Sequence, residues 1–448
     1  MNRRDFLRHM GGIGAGAALA QLGLLGSHAL AATGDYKALV CIFLAGGNDG
    51  NNTLVPIDTT GYAKYYAVRG SLALPQANLM QLPEVGGALR FGLHPGLAAW
   101  QTIWNAGKMA VLLNAGTLLQ TLTLAQYQAS TSVRPLDLFS HIDQQAQWQA
   151  AISDTPSGTG WGGRMADQLA AANAGSSLPT MITTSGNNLF VTGQASRALA
   201  IPVSGSYGLS GAGTSGANLV RTTALTQLLG VDKDSLLIDA AQDITTNALN
   251  YSATLSPLLA GNSTPAAAPF ATLTSGIAKQ LLAIAKIIEA RTAFNATRQI
   301  FFASLGGFDT HTNQLTAQAS LFGQLGPAVK AFYDAMAAIG ENANVTTFTL
   351  SDFSRTFKPN TTGGTDHAWG NNHFIIGGAV HGQRFYGTQP TLTLGGPDDT
   401  SKEGRWIPTT AVDQYAATLA TWFGVSPAGL ASVLPNLSRF PAANLGFV

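Results

Sequence analysis

Short apolar runs bounded by turn residues recur along the chain, at 38–44 (ALVCIFL), 109–114 (MAVLLN), 180–184 (TMITT), 300–305 (IFFASL), 345–350 (VTTFTL) and 373–378 (HFIIGG). Their length and their β-branched and aromatic content predict strands. Between several of them lie longer stretches with helical spacing, at 276–294, 317–339 and 412–423. The strand runs are continuously apolar, so both of their faces are buried. With the intervening helices they predict an α/β fold, a mostly parallel sheet with helices on both faces. Ligands of such sheets collect beyond the carboxyl ends of the strands. Residues 185–269 break the rhythm. They are rich in Gly, Ser, Thr and Ala, and 204–219 (SGSYGLSGAGTSGANL) is almost without large side chains. This composition predicts an inserted lid or cap, or else an irregular surface loop.

The N-terminus carries a different signal. Residues 2–8 (NRRDFLR) set Arg3 and Arg4 before an uncharged Gly/Ala/Leu stretch at 10–25, which leads to Ala29, Leu30 and Ala31. This pattern predicts a twin-arginine signal peptide over 1–31, cleaved after Ala31 or Ala32, with its apolar run too glycine-rich for a stable membrane span. The implied partner is the twin-arginine export machinery, and the implied location is periplasmic or secreted. Residues 32–448 are then the mature domain.

Cleavage takes three arginines from the 24 basic residues and one aspartate from the 23 acidic ones. The mature chain is within one charge of neutral, so it has no basic field for nucleic acid or an anionic membrane. The single cysteine, Cys41, lies inside the first apolar run, which excludes an intramolecular disulfide and marks it as core.

Only 10% of the residues are charged, yet Asp and His recur together in short clusters at expected strand ends. At 42–56 (IFLAGGNDGNNTLVP) a glycine turn presents Asp49, although Asn-Asp-Gly is also ordinary turn chemistry. At 306–314 (GGFDTHTNQ) Asp309 and His311 are two apart, a spacing that puts both on one side of an extended chain and lets them chelate one ion. At 347–356 (TFTLSDFSRT) Asp352 and Arg355 follow a β-branched run. At 364–378 (GTDHAWGNNHFIIGG) come Asp366, His367 and His373. Each alone fits a cap or a satisfied histidine. Together they predict a divalent metal site, with zinc, manganese and calcium as candidate ions. Ser140 and His141, in 136–149 (LDLFSHIDQQAQWQ), stand at the expected start of a helix whose amides favour developing negative charge. Ser140 is a candidate nucleophile with an N-cap as its alternative role, and Thr117 is its rival. Arg355 is a candidate anion clamp.

Through AGGNDGNN, FSHIDQQ, GWGGRMAD (160–167), GGFDTH, SDFSRT and GTDH, nearly the whole mature chain resembles a bacterial family labelled domain of unknown function 1501. Its members look like distant relatives of alkaline phosphatases and sulfatases. The resemblance implies an alkaline phosphatase-like three-layer sandwich with two divalent cations, commonly zinc, held at strand ends beside a Ser, Thr or modified Cys nucleophile. Carried over, Asp49 is the first-strand ligand, and Asp309 with His311 holds the other ion. The Asp-His pair expected directly after a strand is here Asp352-Phe353. Either the second site is degenerate, or His367 and His373 rebuild it. The family usually has Glu and Gly where this chain has Asp352 and Ser354. With Cys41 inside the first strand, a formylglycine sulfatase is disfavoured.

The expected function is an exported metal-dependent hydrolase of phosphate or sulfate esters, on a small molecule or a glycan. The competing expectation is a catalytically silent envelope protein binding a polysaccharide or a protein partner. Trp369, Phe385, Tyr386 and Trp406 serve that role if they stack on sugars, and are otherwise core.

Overall fold

The computed structural model describes residues 36–203, 208–231 and 235–448. The expected export signal at 1–31 lies outside the described residues. The strands are β1 (Lys37–Ala45), β2 (Leu54–Pro56), β3 (Met80–Pro83), β4 (Arg90–Leu93), β5 (Met109–Gly116), β6 (Met181–Thr183), β7 (Leu199–Ala200), β8 (Arg298–Gly306), β9 (Val345–Ser351), β10 (Asn371–Gly377), β11 (Arg384–Gly387) and β12 (Thr410–Ala411). All six expected strands are among them.

The main sheet runs β11-β5-β10-β9-β1-β8-β6-β7, with β12 beside β5, and β2-β4-β3 form a small antiparallel sheet. In the main sheet β10 alone is antiparallel to its neighbours β9 and β5. The reason lies in the connection. After β9 ends at Ser351 the chain stays at the carboxyl edge through residues 352–370 and enters β10 from there, with no crossover helix to reverse it. That connection carries Asp352, Arg355, Asp366 and His367, so all four are kept at one edge.

Successive residues of β1 feed two cores. Ala38, Val40, Ile42 and Leu44 pack with helices Trp100–Asn105, Gly276–Glu289 and Gln314–Ala338. Leu39, Cys41 and Phe43 pack on the other face with helices His141–Ala150, Trp161–Gln168 and Val412–Phe423. This three-layer arrangement explains the continuous hydrophobicity of the strand, and each fully buried aliphatic side chain contributes roughly 1.5–3 kcal/mol. The helix expected from 317 begins at Gln314, because its first turn is buried through a polar side chain rather than an apolar one.

The segment at about 185–269 contains helices Gly216–Leu229 and Leu236–Ala260, in which Leu255 is the one buried side chain among the described residues. No helix among the described residues is long and apolar enough to cross a membrane.

Candidate metal centre

The site begins with register. Ala45 at the end of β1 pairs with Gly306 of β8, and Leu44 pairs with Ser351 of β9. The residues that follow these three strands therefore emerge side by side. Gly46 and Gly47 have φ of +113° and +80°, and a Cβ on Gly46 would lie 2.4 Å from the Asp309 amide nitrogen. Glycine is required there for the first-strand turn to press against the Asp309 loop.

Four side chains meet above this edge. Asp309 Oδ1 lies 3.1 Å from His311 Nε2, 3.4 Å from His141 Nε2 and 3.5 Å from His367 Nε2. His311 Nε2 and His367 Nε2 are 3.0 Å apart. The donor atoms of His141, Asp309 and His367 all fall within 4.8 Å of one another. Two ligands of a tetrahedral zinc ion with bonds of about 2.1 Å stand about 3.4 Å apart, which the Asp309 contacts to His141 and His367 match. The group is partly open, with Asp309 49% exposed and the three imidazoles 24–42%.

Each imidazole is oriented by its other nitrogen. His141 Nδ1 meets Asp352 Oδ2 at 2.7 Å, His311 Nδ1 meets Asp366 Oδ1 at 3.0 Å, and His367 Nδ1 meets the Phe139 carbonyl at 2.8 Å. A carbonyl or a carboxylate can only accept, so all three Nδ1 atoms donate. In the neutral rings the Nε2 lone pairs then point inward. His141 Nε2 is buried without a hydrogen-bond partner, and the His311 and His367 nitrogens face each other. Such an arrangement calls for a proton or a metal cation between them.

The electrostatics agree. The Asp352 hydrogen bond outweighs burial and raises the His141 pKa above the usual imidazole value. Burial, followed by the charges of Arg355, His141 and His311, lowers His367 despite the Phe139 contact. At Asp309 burial acts upward, but the Arg355 hydrogen bond and charge, with His141 and His311, together hold the carboxyl below its usual range.

Seven of the sequence-derived positions thus come together: His141, Asp309, His311, Asp352, Arg355, Asp366 and His367. Their roles sort differently from the expectation. His141, grouped with a nucleophile from sequence, places its Nε2 beside Asp309 and His367, where the three could hold an ion. Asp352 and Asp366 hold imidazoles from behind. Asp352 is fully buried and accepts from Gly46 N at 3.0 Å, His141 Nδ1 and Gln145 Nε2 at 2.7 Å. Arg355 is buried rather than offered to an anion. Its Nε donates to the Gly47 carbonyl at 2.9 Å, and its terminal nitrogens contact the carbonyls of Gly46 and Thr365, Asp309 and His311.

Other positions stand apart. His373 is buried on β10 between Trp148 and Tyr415, with ring centroids 4.5 and 5.9 Å away, and burial lowers its pKa to about 3. Ser140 occupies the N-cap position of helix His141–Ala150, but its hydroxyl donates to Asp143 at 2.6 Å. The Thr117 hydroxyl is buried and donates to Gln144 at 2.9 Å. Trp369, Phe385 and Trp406 are buried core residues and are not offered to a sugar. Asp49 is 1% exposed and joined to Arg69 and Gln314.

Gln145, Gln314, Arg69 and the Phe139 carbonyl escaped the sequence reading. Gln145 carries a signal, since it lies four residues after His141 and so on the same helix face. Gln314 is the last residue of GGFDTHTNQ, but a neutral amide there is not distinctive.

Among solved structures the chain is similar to the lipoteichoic acid synthase LtaP from Listeria monocytogenes, at 8% identity, 84% of this chain, 75% of that one and a TM-score of 0.32. It is also similar to the C-terminal periplasmic domain of EcEptC from Escherichia coli in complex with Zn (10%, 88%, 84%, TM-score 0.35). The PsFucS1 sulfatase from Pseudoalteromonas sp. gives 10%, 90%, 74% and a TM-score of 0.31. These are distant likenesses, and the chemistry is read from this chain's own side chains. No curated protein matches the chain. A family model described as protein of unknown function (DUF1501) matches residues 36–400, and the chain belongs to that family.

Proposed function

We propose that the protein is an exported metal-dependent hydrolase of phosphate or sulfate esters, on small molecules or glycans. The observation that carries this reading is the convergence of three imidazole Nε2 atoms and Asp309 Oδ1 with every Nδ1 held by an oxygen. Three nitrogens and one carboxylate are a zinc donor set, softer than the all-oxygen cages that calcium prefers. When bound, the cation supplies positive charge at the ester oxygens and activates water. Asp352, Asp366 and the Phe139 carbonyl fix the rings, and Arg355 straps Asp309 to the Gly46–Gly47 turn. With the Ser140 and Thr117 hydroxyls committed to Asp143 and Gln144, water is the attacking group in this reading. Residues 1–31 serve as the export signal, and the helices within 208–260 as a cap.

The same two committed hydroxyls, with the committed donors of Arg355, favour a second reading, a catalytically silent envelope protein keeping a structural ion. Plasma mass spectrometry of protein exported through its own signal and purified without chelators, with turnover of aryl phosphate and aryl sulfate, separates the two. Near-stoichiometric zinc, with turnover lost on chelation and restored by zinc, is expected. Bound metal without turnover supports the silent reading, and a folded metal-free protein overturns the metal site itself.

A further inference from the structure

The second acid-centred cluster is at Asp49. The Arg69 side chain is fully buried and its donors reach four oxygens. Nε meets Asn52 Oδ1 at 3.2 Å, one terminal nitrogen meets the carbonyls of Thr356 at 3.0 Å and Phe357 at 3.2 Å, and the other meets Asp49 Oδ2. One carboxylate, one side-chain amide and two main-chain carbonyls gathered around one buried positive charge are the oxygen chemistry that hard cations also use. Here the cation is a guanidinium, whose planar fork of donors satisfies acceptors spread around its rim.

We infer that Arg69 is the resident cation of this oxygen cage, so that of the two cation sites at this sheet edge among the described residues only the one at the histidines is open to a metal ion. The ion count in this inference rests on the metal-dependent reading above. Three donors already occupy Asp49, which is 1% exposed. Its Oδ1 accepts from Asn51 N at 3.0 Å, and its Oδ2 is shared by Arg69 and by Gln314 Nε2. Gln314 passes the constraint onward. Its Oε1 accepts from the hydroxyl of Thr310 at 3.2 Å and from that of Thr365. Thr310 lies between Asp309 and His311, and Thr365 precedes Asp366 and His367. The caged guanidinium is thus linked through Gln314 to the two loops that carry Asp309, His311, Asp366 and His367.

Two readouts test this. The first is the metal content of wild type, Asp49→Asn and Asp309→Asn. One equivalent in wild type and in Asp49→Asn, and none in Asp309→Asn, is expected. Two equivalents in wild type with one lost in Asp49→Asn overturn the inference and leave the hydrolase reading standing. No metal in any of them overturns that reading instead. The second readout does not depend on the histidines: Arg69→Ala is melted with and without ethylguanidinium, which replaces the missing end of the side chain. A rise in melting temperature is expected for Arg69→Ala and not for wild type or the Arg69→Ala, Asp49→Asn pair. No variant-specific rise overturns the cage. If Arg69→Ala does not fold, recovery of folded protein on refolding with ethylguanidinium counts as rescue, and failure to recover it counts against the inference.

Discussion

Among the described residues two clusters of acceptors, around Asp49 and Asp309, lie at one sheet edge, and they differ in what they lack. Around Asp49 every acceptor meets an N–H, and the positive charge is built in as Arg69. Around Asp309 the one guanidinium, Arg355, donates to Asp309 and the glycine turn and reaches His311 Nε2 only at 3.5 Å, while His141 Nε2 has no hydrogen-bond partner and the His311 and His367 nitrogens face each other. A buried carboxylate with a covalently supplied cation makes a scaffold; inward lone pairs at a half-open surface leave room that a cation could fill. The difference is visible only in the donors, because both clusters are centred on an aspartate after a strand.

The strongest way to break the comparison is Asp309→Asn. If the open cluster is the ion site, this change removes bound metal and lowers turnover by more than about 100-fold, beyond the range typical of outer partners. The same measurements on Asp49→Asn should show the ion retained. Equal metal loss in both would make the clusters equivalent and sink the distinction.

Next is Arg69→Met, which strips the buried Asp49 carboxylate of its partner. Removing one member of a buried ion pair costs about 3–5 kcal/mol, measured by urea unfolding. Adding Asp49→Asn should recover part of that loss, since the uncompensated charge disappears. A loss below about 1 kcal/mol would place this pair with exposed ones and contradict its burial.

The sheet and the acids were readable from sequence because each leaves a local mark. Residues 38–44 are too continuously apolar for a surface strand, 345–350 are β-branched and aromatic, and Asp309 and His311 are two apart, on one side of an extended chain. What was not readable depends on distance along the sequence. His141 meets Asp352 across 211 residues, and Arg69 meets the Thr356 carbonyl across 287. Nothing local distinguishes a donor histidine from a helix-start histidine, or a caged arginine from a surface one. The antiparallel direction of β10 was hidden for the same reason, since it follows from where residues 352–370 run.

Asp352→Asn probes the orientation behind the open cluster. An amide can present its NH2 to His141 Nδ1, which would move the ring proton to Nε2 and aim it into the donor group. Metal affinity should fall about 10–100-fold, with Gln145→Ala nearer the lower end because Asp352 keeps two of its three donors. In metal-free wild type, NMR titration should find His141 protonating above the usual imidazole value and His367 below it. The sign follows from linkage: a raised His141 stabilises the metal-free fold below its unfolded pKa, and that stability is lost as pH rises through the folded value. In Asp352→Asn this loss should be absent.

The smallest effect at neutral pH belongs to His373→Phe. His373 shares its chain segment with the site but faces the core, where burial lowers its pKa to about 3 and leaves it neutral. Metal content should be unchanged, which separates this histidine from the three donors. Its contribution appears only in acid. With a folded pKa depressed below the unfolded one, the wild type loses stability as pH falls from the ordinary imidazole value toward 3, because the unfolded chain takes up a proton that the folded chain refuses. Phenylalanine has no proton to take up, so the variant should lose less melting temperature than wild type between pH 7 and pH 5. If instead the variant loses its ion, His373 belongs with the donors, and the boundary drawn here around the open cluster is too narrow.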